Sequence, residues 1–260
     1  MAENWNPEQY ERFRNERRAP FLDLLALVQP RADLRILDLG CGTGELTLLA
    51  HQKLAAKQTL GIDASAAMLE RAAAHASATL RFEQRKVEQF SAAGGFDLVL
   101  SNAALHWVDD HAALFERIAA WLAPGGQIAV QMPANDDHVS QRTARELAAE
   151  APYAAALAAE RRASPLLSLE DYALLLHRLG FADQVVRAQI YLHRLPDSDG
   201  LFEWVKGSVL TWYGARLEPE LFARFTEDYR ERLRQRLNHP QGEAYLLTYR
   251  RIFLRALLPP

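Results

Sequence analysis

The chain has 260 residues, of which 49% are hydrophobic and 24% are charged, and its formal net charge is −3 at pH 7. This composition is typical of a globular protein and excludes a disordered or fibrous one. The length suits one large domain, or one domain that carries a smaller lobe. Lysine and arginine are spread along a slightly acidic sequence, so nucleic acid is not an expected partner.

Cys41 is the only cysteine, which excludes an internal disulfide and a cysteine-based zinc site, and no metal site is expected. The first 18 residues are too charged for a secretory signal. No stretch has the roughly 18 uninterrupted apolar residues of a membrane-spanning helix. We therefore expect a soluble, cytoplasmic protein that has no membrane partner and is a monomer or a homodimer.

The amino-terminal segment predicts a helix. Asn6 and Pro7 suit the N-cap and the first helical position of a helix that continues to residue 18. Pro20 is expected to interrupt this helix before the helical period resumes over residues 21–28.

From residue 34 to residue 132, short apolar runs alternate with helical segments. The predicted strands are 34–39, 58–63, 79–84, 96–102 and 126–132, and the predicted helices are 44–56, 65–76 and 111–122. This alternation indicates parallel βαβ units and therefore an α/β fold with a doubly wound sheet.

The pattern changes after Pro133. Two late segments alternate like strands that are exposed on one face, and we expect them to join the sheet edge and complete a mostly parallel seven-stranded sheet. We expect both helical insertions to sit together as a cap. These strands are 184–195 and 245–254, and the helical segments are 135–163, 169–181 and 200–238. The predicted organisation is a helical lid (1–30), a cofactor-binding core (31–134), a first cap insertion (135–168), a core helix and strand (169–196), a second cap (197–243) and a final core strand (244–260).

A glycine-rich turn follows the first predicted strand in the sequence LDLGCGTGEL. Gly40, Gly42 and Gly44 lack Cβ atoms at the point where the carboxyl end of a strand in a doubly wound sheet meets its ligand. Asp63 ends the next predicted strand, 19 residues beyond Gly44, close to the spacing of an acid that accepts hydrogen bonds from a ribose. The combination favours an adenosine-bearing ligand over a purely structural turn.

The residues after the turn narrow the choice of ligand. A phosphate-binding loop needs lysine and then serine or threonine after the last glycine, but Glu45 and Leu46 stand there. A dinucleotide-binding turn has its third glycine at the position of Glu45, and a carboxylate at the start of the helix repels phosphate. An adenosine without phosphate, such as that of S-adenosylmethionine, fits better.

Four sequence motifs together resemble those of class I S-adenosylmethionine-dependent methyltransferases: LDLGCGTG, GIDAS followed by ML, NAALHW, and LAPGGQIAVQMP. Over nearly the full length, WNPEQYERFRNER, VQMPAN, EWVKG and LLTYRRIF are similar to the trans-aconitate 2-methyltransferase family. The resemblance implies a Rossmann-like fold and S-adenosylmethionine as cofactor. It also implies methyl transfer to a carboxylate oxygen of a small molecule similar to trans-aconitate.

The resemblance also implies roles for individual residues. Asp38 orders the turn, residues 40–42 line the methionine part of the cofactor, and Asp63 holds its ribose. Ala64, Met68 and Val87 lie around the adenine, and Asn102 closes the site. The implied cofactor-binding residues are therefore Asp38, Gly40, Cys41, Gly42, Asp63, Ala64, Met68, Val87 and Asn102. On the acceptor side, the implied residues are Tyr10, Phe13, Arg17, His106, Trp107 and Arg251.

Three positions depart from the family pattern. Lys86 stands where such enzymes commonly have an aspartate, and lysine cannot accept a hydrogen bond from the adenine amino group. Adenine recognition then rests on backbone groups, on Glu88 or on shape. Thr211 and Trp212 replace an expected arginine and proline, so the acceptor is expected to have fewer carboxylates or an apolar group.

A carboxylate acceptor needs no general base, because its free pKa is about 4, so catalysis by positioning alone is expected. The sequence leaves three competing hypotheses open. A hydroxyl or amine acceptor would need a base, for which His106 is the candidate. The chain could instead be a non-catalytic protein that binds S-adenosylmethionine or, less favoured, a nicotinamide-dependent dehydrogenase.

Overall fold

The computed structural model describes residues 14–157, 164–207, 209–240 and 242–260, and it describes side chains from residue 18 onward. In this part of the chain, seven strands form one sheet in the order β3-β2-β1-β4-β5-β7-β6, in which β7 runs antiparallel to the other six strands. The doubly wound, mostly parallel α/β sheet predicted from the sequence is therefore confirmed. The strands are β1 (Arg35–Leu39), β2 (Gln58–Asp63), β3 (Leu80–Gln84), β4 (Phe96–Asn102), β5 (Leu122–Pro133), β6 (Asp183–Leu195) and β7 (Tyr245–Leu257).

The strand order reverses between β1 and β4. The chain runs outward from β1 through β2 to β3, and then returns to pair β4 with the other side of β1. The carboxyl ends of two strands that diverge in this way form a crevice, which is the usual ligand site of such sheets. The glycine turn after β1 and the residues after β4 both lie at this edge.

The described helices cover both faces of the sheet or pack beyond its carboxyl edge. The α-helices are α1 (Arg14–Leu25), α2 (Glu45–Lys53), α3 (Ala66–Ala72), α4 (His111–Trp121), α5 (Val139–Ala148), α6 (Tyr153–Ala156), α7 (Leu169–Arg178), α8 (Ser198–Lys206), α9 (Thr211–Gly214) and α10 (Pro219–Leu237). Short 3₁₀ turns span Ala73–His75, Val87–Gln89 and Leu105–Trp107. None of the described helices has the length and apolar character needed to cross a bilayer.

The predicted break at Pro20 is wrong, because α1 continues through this residue. A proline inside a helix removes one backbone hydrogen bond and crowds the preceding turn. Phe21 and Leu24, immediately after it, are 1% and 0% exposed against one face of the sheet. Burial of these side chains, which the local sequence does not reveal, outweighs the cost of the proline. Strand β5 also begins earlier than predicted, at Leu122, where it pairs with Phe96.

Three hydrophobic clusters organise the interior. Two of them lie on the opposite faces of the sheet. The third joins α5, α6, α8, α9 and α10 around buried aromatic residues that include Tyr153, Tyr213 and Phe225. We call these five helices the cap helices. Helices α5 and α10 pack against each other, although they come from segments separated by a helix and a strand of the core.

Candidate functional site

The glycine turn is fixed to the end of β2 by its own backbone. The N–H groups of Gly40 and Cys41 both donate to the carbonyl oxygen of Ile62, at 2.8 and 3.0 Å. The N–H group of Gly44 donates to the carbonyl of Cys41 at 3.0 Å and closes the turn before α2 begins. The turn is therefore a rigid part of the sheet edge.

The three glycines of the turn all have positive φ angles, of 76°, 55° and 74°, but they serve different purposes. A Cβ on Gly40 would lie 2.2 Å from the Cβ of Ala104, and a Cβ on Gly44 would lie within 3 Å of Phe82 and Ala72. At Gly42 a Cβ would meet nothing within 4 Å among the described residues. The outer glycines thus permit close packing, whereas Gly42 presents bare backbone to open space where a ligand can lie.

Asp63 connects the turn to the start of α3. One carboxylate oxygen accepts a hydrogen bond from the N–H of Gly42 and the other from the N–H of Ser65, both at 2.9 Å. Each oxygen can accept more than one hydrogen bond, and the side chain is only half-buried. The carboxylate is thus held at the crevice with the capacity to accept hydrogen bonds from two neighbouring hydroxyl groups, as a ribose would require.

Asp38 lies beneath the turn. Its carboxyl group is 4% exposed and accepts a 2.6 Å hydrogen bond from the hydroxyl of Thr47 on α2. Burial, with a smaller contribution from the charge of Asp63, raises the pKa of Asp38 to about 7. Burial also raises the pKa of the neighbouring Cys41 thiol, so this cysteine is not a nucleophile at neutral pH. Asp38 therefore ties the end of β1 to α2, and the buried Cys41 belongs to the turn itself; contact of Cys41 with the cofactor stays a prediction.

The residues predicted to surround adenine lie along the next edge of the crevice. The carbonyl of Ala64 accepts a hydrogen bond from Gln84 at 3.2 Å, and Met68 lies in the first turn of α3, whose N-cap is Ser65. Val87 is buried at the start of a 3₁₀ turn, and the exposed Lys86 precedes it. The structure therefore places Ala64, Met68 and Val87 after the carboxyl ends of β2 and β3, and their contact with adenine stays a prediction.

The carboxyl end of β4 forms the opposite wall. Asn102 ends this strand, and its Oδ1 atom is buried without a hydrogen-bond partner among the described residues. His106 and Trp107 follow in a 3₁₀ turn, with their ring centroids 4.8 Å apart. The contact of Ala104 with Gly40 places this turn directly against the glycine turn.

Arg251 of β7 is buried at the same edge, with 5% of its surface exposed. It donates a hydrogen bond from Nη1 to Oε1 of Gln131 at 3.2 Å, and its guanidinium lies 4.9 Å from the ring centroid of Tyr249. Gln131 pairs in register with Asn102 on β4. Arg251 is therefore connected to the wall of the crevice through Gln131.

The side chains of three predicted acceptor residues lie outside the described part of the structure. Tyr10 and Phe13 lie outside the described residues, and Arg17 belongs to α1, but its side chain is not among those described. The described part of α1 is nevertheless tied to the sheet, because Asp23 accepts hydrogen bonds from Tyr191 at 2.5 Å and from Gln189 at 3.1 Å on β6.

A cavity of about 300 Å³, a volume that includes adjoining open solvent, lies between the cap helices and the amino-terminal half of β7. Asn135, His138, Trp204 and Tyr249 contribute to its lining, and Tyr249 connects it to Arg251. Polar residues after β5 have structural partners here, since Asn135 bonds to the backbone of residue 250 and His138 caps α5. No group of three possible metal ligands occurs in the described part of the chain.

The sequence interpretation overlooked Gln131, Tyr191 and Asp23. A signal existed for Gln131, because it interrupts the apolar run of residues 128–132 in the buried strand. Tyr191 and Asp23 are 168 residues apart, and local sequence gives no sign of their contact.

The site fits S-adenosylmethionine. Open space at Gly42, an anchored carboxylate at Asp63 and an available buried acceptor at Asn102 suit the methionine chain, the ribose and the amino group of this molecule, respectively. Residues 10–186 match a family model described as a methyltransferase domain.

Curated relatives match almost the whole chain. A trans-aconitate 2-methyltransferase of Deinococcus radiodurans is 41% identical and covers 98% of both chains. A protein of the same name from Methylobacterium nodulans is 36% identical over 97% of this chain and 98% of its own. Among solved structures, the YcgJ protein of Bacillus subtilis has a TM-score of 0.62 at 17% identity and covers 94% of this chain and 99% of its own, which is a similarity of fold. The chain therefore belongs to the S-adenosylmethionine-dependent methyltransferases, and within them to the family whose curated members are named trans-aconitate 2-methyltransferase.

Proposed function

We propose that this methyltransferase acts on a carboxylate oxygen of a small polycarboxylic acid, with trans-aconitate as the first substrate to test. The observation that carries the proposal is the buried guanidinium of Arg251 at the carboxyl edge of the sheet, where the acceptor must meet the cofactor. A positive charge in a poorly solvated position attracts an anionic ligand and orients it through paired hydrogen bonds. The names of the relatives agree with such an acceptor.

When bound, S-adenosylmethionine supplies an electrophilic methyl group on a sulfonium. The task of the chain is to bring an acceptor oxygen into line with that methyl group and to keep water away. Alignment of this kind is worth roughly 7–11 kcal/mol of a reaction barrier in intramolecular models. Asp63 and the turn hold one reactant, the 3₁₀ turn with His106 and Trp107 limits the space opposite, and Arg251 orients the acceptor.

No side chain needs to remove a proton in this reaction, because a carboxylic acid with a pKa of about 4 is already ionised near neutral pH. His106 is therefore assigned to the wall of the acceptor site and not to base catalysis. Tyr10, Phe13 and Arg17 remain proposed acceptor residues on the resemblance alone. We further propose that the protein acts in the cytoplasm, as a monomer or a homodimer, and that nucleic acid is not one of its partners.

The test is a screen with methyl-labelled S-adenosylmethionine against tricarboxylic and dicarboxylic acids, fatty acids, phenols and amines. We expect label in a base-labile methyl ester, with trans-aconitate among the acceptors. Turnover of phenols or amines alone would contradict the carboxylate assignment and would make His106 the candidate base.

Arg251→Met should raise the acceptor KM by about 10- to 100-fold, because hydrogen bonds to charged groups contribute about 1.5–3 kcal/mol. Arg255→Met is the matched control. Arg255 lies on the same face of β7 and is 9% exposed, but it pairs with Asp183 at 2.7 Å, far from the crevice. An equal rise in KM for both variants would show that Arg251 has no specific part in acceptor binding.

A further inference from the structure

We propose that Gln131 is a specificity-determining residue that holds a carboxylate of the acceptor other than the one that is methylated. This inference rests on the proposed function and specifies it further. Gln131 is fully buried in β5, and its Nε2 atom has no hydrogen-bond partner in the described part of the chain. A buried donor without a partner costs free energy unless a ligand supplies an acceptor.

The orientation of the Gln131 amide follows from its neighbour. Arg251 can only donate hydrogen bonds, so the atom of Gln131 that faces Nη1 at 3.2 Å must be the oxygen. The Nε2 group therefore points away from Arg251 and can only donate. The side chain thus fixes the guanidinium with one end and presents a donor with the other.

A second glutamine on the same strand shows what a purely structural amide looks like here. Gln127 lies four residues earlier on the same face of β5 and is 3% exposed. Its oxygen accepts from the N–H of Gln29 and its Nε2 donates to the carbonyl of Gln29, both at 2.9 Å. Both ends of Gln127 are satisfied by the protein, whereas Gln131, at the carboxyl edge, has a donor to spare.

The location of Gln131 identifies the chemistry of its ligand. It pairs in register with Asn102, a wall residue of the crevice, and bonds to a buried cation. A donor beside a guanidinium suits a carboxylate, which accepts several hydrogen bonds and carries the opposite charge.

The carboxylate held here is not the one that reacts. A nucleophilic carboxylate loses its negative charge as the ester forms, so strong hydrogen bonds and a nearby cation would stabilise the reactant more than the transition state. The same contacts on a second carboxylate stabilise both states equally and fix the orientation. Gln131 and Arg251 therefore select acceptors with at least two carboxylates.

The test compares Gln131→Glu and Gln131→Met with the control Gln127→Met. Gln131→Glu keeps the shape and the oxygen that faces Arg251 but removes the donor. The measured quantities are the KM and kcat for trans-aconitate and for the monocarboxylate crotonate, the Kd for S-adenosylmethionine, and the melting temperature.

We expect both Gln131 variants to raise the KM for trans-aconitate by about 10- to 100-fold, with the Kd for S-adenosylmethionine unchanged within twofold. The preference for trans-aconitate over crotonate should fall by the same factor. Gln127→Met should lower the melting temperature and leave that preference unchanged.

An unchanged preference in both Gln131 variants, or a loss confined to kcat, would overturn the inference while leaving the proposed function intact. If neither variant folds, Gln131 is structural and the inference is wrong. If the parent protein methylates no carboxylate at all, the proposed function fails first and the inference fails with it.

Discussion

At Gly42 the φ angle is +55°, and the position of a Cβ is open. Gly42→Ala should cost about 1–2 kcal/mol of stability, because a residue with a Cβ is strained in this conformation. Its new methyl group would also project towards the proposed cofactor position. We expect the Kd for S-adenosylmethionine to rise at least about tenfold, equivalent to about 1.4 kcal/mol, as measured by isothermal titration calorimetry.

Gly180→Ala is the matched control for this prediction. Gly180 follows α7 with a φ of +87°, and a Cβ there would also meet nothing within 4 Å among the described residues. The two variants should lose similar stability, but only Gly42→Ala should lose affinity for the cofactor. Equal cofactor binding by both variants would show that the ligand does not lie over Gly42.

At the scale of elements, the attachment of α1 to β6 depends on one acidic side chain. The Oδ2 atom of Asp23 accepts from both Tyr191 and Gln189. Burial, together with the hydrogen bond to Asp23 and its charge, raises the pKa of Tyr191, so the phenol remains a donor at any physiological pH. This contact holds a helix of the predicted lid onto the edge strand of the sheet.

Tyr191→Phe and Asp23→Ala should each lower the free energy of unfolding by about 1–2 kcal/mol. The double variant should lose less than the sum of the two, because the shared hydrogen bond can be removed only once. Urea unfolding of the four proteins measures this coupling. Strict additivity would contradict a direct contact between the two side chains.

The elements that the sequence predicted best are the buried parallel strands. β2 and β4 match the predicted ranges, because each has a short apolar centre, LGI in β2 and LVL in β4, that is bounded by polar residues. The path of α1 through Pro20 was not predictable, since the burial of Phe21 and Leu24 depends on strands far along the chain. The proposed role of Gln131 was not predictable for the same reason, because it depends on the position of Gln131 beside Asn102 and Arg251 in the folded sheet.

At the scale of the whole molecule, the doubly wound sheet and a ligand site at the carboxyl ends of its strands followed from general rules for alternating strands and helices. Both helical insertions were expected to sit together as a cap, and α5 and α10 do pack against each other, but their individual aromatic and aliphatic contacts join distant segments and could not be predicted from local sequence. The predicted cofactor residues could therefore be named from local motifs. The proposed acceptor residues Gln131 and Arg251 lie on β5 and β7 and come together only in the folded sheet.

The stability of the molecule should depend on pH through Asp38. Its pKa is about 7 in the folded chain, against roughly 3.9 for an unfolded aspartate. The folded state thus binds the Asp38 proton more tightly than the unfolded state does. The resulting gain in the free energy of unfolding is fully present below about pH 4 and is lost as the pH rises through 7. When the pH is raised from 5 to 8, the free energy of unfolding of the parent protein without cofactor should fall by about 2 kcal/mol more than that of Asp38→Asn.

Urea unfolding of the parent and of Asp38→Asn at the two pH values measures this difference. The amide oxygen of asparagine can still accept a hydrogen bond from Thr47, so the variant removes the titration without removing the contact. Parallel losses of stability in the two proteins would show that Asp38 does not titrate in this range.

The contact between Gly40 and Ala104 has a consequence for redesigning the enzyme. Because the methyl group of Ala104 fills the space that a side chain at position 40 would take, the glycine turn and the 3₁₀ turn after β4 keep a fixed separation. Enlarging the alanine would push the loops apart and lengthen the distance that the transferred carbon must travel, even though this residue need not touch either reactant. Attempts to broaden the acceptor range should therefore vary more distant wall residues and leave this small pair untouched.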